Sequence, residues 1–104
     1  MSSRLETVLS LADENPDEPM PQIMAGNELL NAGEPARALA YLDRYVALLP
    51  GGDVGAAYRM KGRAHHLLGE SEAAQLAFGS GLASALAHGH GDLAQAIREE
   101  MQGA

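Results

Sequence analysis

Three side chains that carry or can accept positive charge form one stripe in the second half of the sequence. Arg59, Arg63 and His66 are spaced at i, i+4 and i+7, so a helix places them on one face. Guanidinium groups hold carboxylates through paired hydrogen bonds, and the stripe therefore suggests binding of an acidic side chain or a C-terminal carboxylate. The alternative is structural: Arg59 and Arg63 neutralise Glu28 and other acids on the adjacent helix.

The residues 36 positions earlier in the sequence are Ile23, Asn27 and Leu30, which carry no charge. The predicted groove is therefore apolar on one wall and basic on the other. Methionines lie nearby, and their flexible side chains suit an adaptable apolar floor. The predicted peptide-binding residues are Met20, Ile23, Met24, Asn27, Leu30, Arg59, Met60, Arg63 and His66.

Four histidines offer a second kind of chemistry, which is metal binding. His65 and His66 lie near the end of one predicted helix, whereas His88 and His90 follow the far end of the next, antiparallel helix. These pairs are ~20 Å or more apart at the rise of an α-helix. A site built from His88, His90 and Asp92 is the remaining alternative. This segment is more typical of a glycine-rich helix break, so neither a metal nor another cofactor is predicted.

Signatures of an enzyme are absent from the sequence. There is no phosphate-binding loop, no Gly-x-Ser-x-Gly motif, and no carboxylate pair placed against a histidine. The chain also lacks cysteine, which excludes disulfides, thiolate metal ligands and a cysteine nucleophile. Glu99 and Glu100 are interpreted as a solvated helix face. We therefore expect a protein without catalytic activity.

The charge balance bears on partners and location. Fourteen acidic residues against seven basic ones give a net charge of -7, which argues against nucleic acid as a partner. Residues 1–15 carry a single positive charge, and polar residues interrupt their apolar positions. Neither a signal peptide nor a membrane span is therefore expected. We interpret the protein as cytoplasmic.

Residue types recur at an interval of 36, and this repetition defines the elements that position the stripe. Gly26 and Ala38 recur as Gly62 and Ala74, and a Gly-Glu pair follows each of the two glycines by seven residues. Small residues at these positions allow paired helices to approach closely. The Gly-Glu pairs favour a turn that ends one helix and begins the next, so each repeat is predicted to be an antiparallel helical hairpin.

The spacing of apolar residues predicts about six helices. A capping box at Ser3 begins the first helix, which ends near Glu14, and three closely spaced prolines interrupt the chain after it. Two glycines within the fifth helix, Gly79 and Gly81, cost ~1 kcal/mol each relative to alanine. The remaining helices are expected at about 22–31, 35–49, 54–68, 71–86 and 92–102.

In these features the chain resembles the tetratricopeptide repeat family, and small bacterial members in particular. The resemblance rests on the repeated glycines and alanines, on the aromatic residues Tyr58 and Phe78, and on Pro50 as a closing proline. Pro16 precedes Pro50 by 34 residues, the family period, which makes the first helix the second half of an incomplete leading repeat. The departures from the family pattern are Gln22, Leu42, Lys61 and Leu86.

The resemblance implies an all-α fold of antiparallel helical hairpins stacked in a short right-handed solenoid. The length of the chain favours one domain over residues 1–104. It would comprise an N-terminal capping helix at 3–14, repeats at 19–52 and 53–88, and a C-terminal capping helix at 92–102. The family resemblance also implies a non-catalytic adaptor that binds a protein or peptide segment in the concave groove lined by the first helix of each hairpin.

Self-association is the alternative function. Two repeats are fewer than the three or so that a stable stack usually needs, so a second copy would complete the core. Six acids and no base lie between Asp13 and Glu34, whereas residues 59–63 contain three bases. If these segments face each other across two copies, the protein is a homodimer.

Overall fold

The computed structural model describes residues 3–103, which form six α-helices and no strand. The predicted all-α fold of helical hairpins is therefore confirmed for this part of the chain. Residues 1, 2 and 104, which the predicted domain includes, lie outside the described residues. The helices are α1 (Arg4–Glu14), α2 (Pro19–Asn31), α3 (Pro35–Leu48), α4 (Gly55–Leu67), α5 (Ser71–Ala87) and α6 (Gly91–Gly103).

The interval of 36 residues is also the interval between equivalent helices. Helices α2, α4 and α6 begin at Pro19, Gly55 and Gly91. The turns inside the two hairpins contain Gly33 and Gly69, each with a φ of 76°. This left-handed backbone conformation favours glycine, which has no Cβ. The hairpin α2–α3 is thus repeated by α4–α5, and α6 stands where a third hairpin would begin.

Prolines explain two features of the observed helix bounds. Helix α2 begins at Pro19 and includes Pro21, although the sequence predicted a start after these prolines. Both prolines lie in the first turn, where backbone N–H groups have no partner within the helix, so their missing donors cost little. Helix α5 has 17 residues and α3 has 14, because Leu86 lies where Pro50 follows the shorter helix.

At each repeated glycine, a side chain of the partner helix in the hairpin packs directly on the backbone. A Cβ atom added at Gly26 would lie 2.5 Å from the side chain of Leu42, and one added at Gly62 would lie 2.5 Å from the ring of Phe78. Both distances are far below van der Waals contact. The predicted role of these small residues in close helix packing is therefore confirmed.

The two glycines inside α5 differ in their surroundings. A Cβ at Gly81 would lie 3.1 Å from the carbonyl oxygen of Gly55 and 3.1 Å from Cβ of Tyr58. Gly81 therefore permits the close approach of α4 and α5. A Cβ at Gly79 would meet nothing within 4 Å, so this residue only lowers the intrinsic stability of the helix.

Gln22 is a buried polar residue that connects three helices. It lies 36 residues before Tyr58 and has no exposed surface. Its Nε2 atom donates to the carbonyl oxygens of Ala12 at 2.9 Å and Asn15 at 3.0 Å, and its Oε1 atom accepts from Arg44 at 2.9 Å. Gln22 thereby satisfies carbonyl groups at the end of α1 and joins α1 to α2 and α3.

The outer helices pack on one side only. The contact of α1 with α2 is equivalent to the contact of α3 with α4 and to that of α5 with α6. Arg98 lies 36 residues after Gly62 and is exposed, so a charged side chain stands where a following helix would need a glycine. The outer surface of α1 carries exposed Glu6, Ser10 and Glu14. Among the described residues, no helix has the length and apolar character needed to cross a membrane.

Candidate functional site

The nine residues predicted to bind a peptide all lie on α2 and α4, which contact each other, but they differ in exposure. We refer to the exposed set as the α2–α4 face. It consists of Met20, Met24, Asn27, Arg63 and His66. The partly buried set consists of Ile23, Leu30, Arg59 and Met60.

Ile23 and Leu30 do not form the outward stripe that their spacing predicted. Together with Met60 they pack against the buried cluster of Leu29, Ala38 and Leu42. The reason is that α2 is covered by α1, α3 and α4, which leaves only a narrow exposed strip along the helix. Met20 and Met24, with 64% and 37% of their surface exposed, are the apolar residues on that strip.

Arg59 and Arg63 converge on one carboxylate, that of Glu100 on α6. The Nε atom of Arg59 donates to Oε1 of Glu100, and the Nε atom of Arg63 donates to Oε2 at 2.9 Å. Neither arginine pairs with Glu28, which instead accepts from Arg4 at 2.6 Å. Glu100 has only 23% of its side chain exposed, so its interpretation as a solvated helix face is wrong.

Sequence reasoning missed Glu100 although a signal for it existed. The 36-residue interval places Glu99 in the position of Arg63, and Glu100 is its neighbour. The same interval relates the stripe of Ile23, Asn27 and Leu30 on α2 to the stripe of Arg59, Arg63 and His66 on α4. Its extension to the last helix would have brought an acidic pair beside the two arginines.

The arginines determine the ionisation of Glu100. Partial burial of this carboxylate acts to raise its pKa, but hydrogen bonds and positive charge from Arg63 and Arg59 outweigh that effect. The pKa of Glu100 consequently lies below the ordinary value for a glutamate. The side chain therefore stays charged into the mildly acidic range.

The Glu100→Gln variant is expected to lower the free energy of unfolding by about 1–2 kcal/mol at neutral pH, because two guanidinium groups lose their charged acceptor. A pKa lowered by folding gives a contribution that is complete above the unfolded value of about 4.3 and is lost as the pH falls through the folded value. The difference between parent and variant should therefore shrink below about pH 4 in urea denaturation.

Glu99→Gln is the matched control for this measurement. Glu99 is exposed, and the only hydrogen bond of its side chain among the described residues is accepted from Gln95 at 3.3 Å. Its substitution should therefore change stability by less than about 0.5 kcal/mol. Equal losses in the two variants, or a difference that does not depend on pH, would contradict a stabilising role for the Glu100 ion pairs.

A cavity of about 420 Å³ opens beside the paired arginines. We refer to it as the Phe78 cavity; it is lined by Arg63, His66, Leu67, Phe78, Glu100 and Gly103. Its volume lies within the usual range for ligand pockets. Leu67 and the edge of Phe78 supply apolar surface, while the side chains of Arg63, His66 and Glu100 supply charge or hydrogen-bonding groups. Such a cavity suits an apolar group that carries a polar or charged substituent.

Most positive charge in the protein is neutralised within the chain. Of the seven basic residues, only Arg98 has no acidic partner within 4 Å in the described part. The six paired residues are Arg4, Arg37, Arg44, Arg59, Lys61 and Arg63. An acidic ligand at the predicted basic wall must therefore compete with an internal carboxylate.

The histidines make separate polar contacts. His65 pairs with Glu70 at 2.7 Å, and the Nε2 atom of His90 pairs with Asp53 at 2.5 Å. This second contact joins the connection before α4 to the start of α6. His88 contacts the backbone of α5. Within residues 3–103, no group of three or more histidine, aspartate or glutamate side chains is arranged to hold a metal ion.

Comparison with known proteins gives information on the fold of this chain. No model of a protein family matches the sequence, and no curated protein matches it. The chain is similar to the solution structure of protein BPP2914 from Bordetella parapertussis, a structural genomics target, with a TM-score of 0.81 and 19% identity. The match covers 98% of this chain and 87% of that chain. At this identity the likeness shows a shared fold alone.

Proposed function

We propose that this chain is a non-catalytic binding module of the tetratricopeptide repeat type, which holds a peptide or protein segment across the α2–α4 face. The Phe78 cavity is the observation that carries the proposal. It combines apolar surface with His66 and with Arg63, whose guanidinium pairs with Glu100 at the same cavity.

The arrangement supports a ligand with an apolar anchor and an acidic group. The anchor would enter the Phe78 cavity, where Leu67, 62% exposed, offers most of the apolar contact and the almost fully buried Phe78 lies beneath it. The acid would face Arg63, a residue type suited to paired hydrogen bonds with a carboxylate. Met20 and Met24 would contact the remainder of the segment through flexible apolar side chains.

The side chains around the cavity also support a role without catalysis. Its lining contains no serine, threonine, cysteine or lysine. A histidine is present, but no hydroxyl or thiol group lines the cavity for it to activate as a nucleophile. The guanidinium, imidazole and carboxylate groups of the lining, beside Leu67, suit recognition by charge and apolar contact.

Selection of phage-displayed random dodecapeptides on the immobilised protein tests the proposal. The enriched peptides should place an apolar residue next to aspartate or glutamate. Their affinity, measured by fluorescence polarisation, should fall at least about tenfold in Arg63→Gln, because a charged hydrogen bond is lost. Arg37→Gln is the matched control, since Arg37 is 53% exposed, lies on α3 and pairs only with Glu34. Failure to enrich peptides over the bare support, or equal losses in both variants, would overturn the proposal.

Self-association is the second candidate, and a different observation favours it. The predicted pairing of an acidic segment with residues 59–63 would require displacement of Glu100, which holds Arg59 and Arg63 within the chain. Leu76, however, is 75% exposed on α5. Light scattering distinguishes the candidates: a mass of two chains that falls to one in Leu76→Glu would assign a homodimer.

A further inference from the structure

We infer that Arg59 and Arg63 form a carboxylate-binding site whose resident occupant is Glu100, and that an external ligand bearing an apolar group and a carboxylate binds by displacing this side chain. The inference rests on the proposed function, because it defines the ligand chemistry of the same cavity. It adds that Glu100 of the same chain competes with the external ligand for the two arginines.

The first support is the way in which the carboxylate is held. Arg59 and Arg63 lie one turn apart on α4, and each directs an Nε donor at a different oxygen of Glu100. Arg63 also donates through Nη2 at 3.3 Å. Two guanidinium groups on one carboxylate constitute a recognition site for that group, whichever molecule supplies it.

The second support is that α6 is anchored independently of Glu100. Ile97 is fully buried in a cluster with Ala74 and Phe78 of α5. The side chain of Gln75 donates to the carbonyl oxygen of Met101 at 3.1 Å, which holds the last turns of α6 against α5. Helix α6 contacts α4 only slightly. Release of Glu100 therefore requires side-chain rotation and leaves the packing of α6 in place.

The third support is the position of the ion pair at the cavity. Arg63 and Glu100 both line the Phe78 cavity. An apolar group inside the cavity brings an attached carboxylate close to the guanidinium that Glu100 occupies. Because Glu100 belongs to the same chain, it competes at a high effective concentration and lowers the apparent affinity for the external ligand.

The test uses 4-phenylbutyrate as the probe and the neutral 4-phenylbutanamide as its control. Binding is followed by NMR through the Nε–H signals of Arg59 and Arg63. Glu100→Gln should bind 4-phenylbutyrate at least about tenfold more tightly than the parent protein, because the competing charge is gone. The amide should show no such gain, and Glu99→Gln should behave as the parent.

A second measurement uses the parent protein, so its result does not depend on whether the variant folds. Saturating 4-phenylbutyrate at neutral pH should shift the NMR signal of the Glu100 carboxyl carbon in the parent protein, because the arginines have changed partner. Equal affinities of parent and Glu100→Gln, with the carboxyl signal of Glu100 unchanged at neutral pH, would overturn displacement. Equal gains for acid and amide would overturn the carboxylate site. In either case, the proposed function remains supported if the peptides selected in the phage experiment still require Arg63 for binding.

Discussion

Replacing Phe78 with alanine is expected to lower the free energy of unfolding by about 3–5 kcal/mol, the usual cost of removing a buried aromatic ring. Phe78 is 2% exposed, packs with Ala74 and Ile97, and lies against Gly62 on α4. Its ring therefore connects α5 to both neighbouring helices. Domains of this size have total stabilities of about 5–15 kcal/mol, so the variant should lose a large part of its stability.

The first hairpin supplies the control for this substitution. Leu42 lies 36 residues before Phe78 and occupies the same position against Gly26. A leucine is therefore compatible with this packing geometry, and Phe78→Leu should cost only about 1 kcal/mol. Urea denaturation followed by circular dichroism measures both variants. A loss in Phe78→Leu as large as in Phe78→Ala would show that the second hairpin requires the aromatic ring itself.

The hairpin fold was predictable because its determinants are local or repeated. Ser3 accepts a hydrogen bond from the backbone of Glu6 at 3.1 Å, as the capping box predicted. Gly33 and Gly69 adopt the left-handed conformation that ends their helices. These residues act within a few positions of the chain, and an identical interval between two copies shows that the same packing occurs twice.

The candidate site was predictable only in part, because its geometry depends on helices that are distant in sequence. The stripe of Arg59, Arg63 and His66 lies on α4 as expected, but its acidic partner lies 37 or more residues away on α6. The choice between Glu99 and Glu100 depends on how α6 is rotated against α5. Helical periodicity within a single segment contains no information about that rotation.

Gln22 illustrates the same limit for a buried residue. Its position predicts a large side chain at the start of the hairpin, where the second repeat has Tyr58. Its function depends on the end of α1, whose carbonyl groups at Ala12 and Asn15 accept from it. A glutamine fits here because the end of α1 brings two carbonyl acceptors to this point, and that arrangement follows only from the packing of α1 on α2.

Gly62→Ala is expected to destabilise the protein by about 1–3 kcal/mol, although alanine is the better helix former. The new methyl group would lie 2.5 Å from the ring of Phe78, so either the ring or the α4 backbone must move. Phe78 cannot rotate freely, because it is enclosed by Ala74 and Ile97. The strain therefore acts on the contact between α4 and α5 at Gly62 and Phe78.

Gly79→Ala is the matched control and should act in the opposite direction. Gly79 also lies inside a helix, but a methyl group there meets nothing within 4 Å, so the variant should gain roughly 0.5–1 kcal/mol. Since both substitutions bring the same intrinsic helix preference, the difference between them isolates the effect of the close contact. Urea denaturation of the two variants measures it. If Gly62→Ala were as stabilising as Gly79→Ala, the repeated glycine would not be a packing residue, and the physical explanation of the 36-residue interval would be wrong.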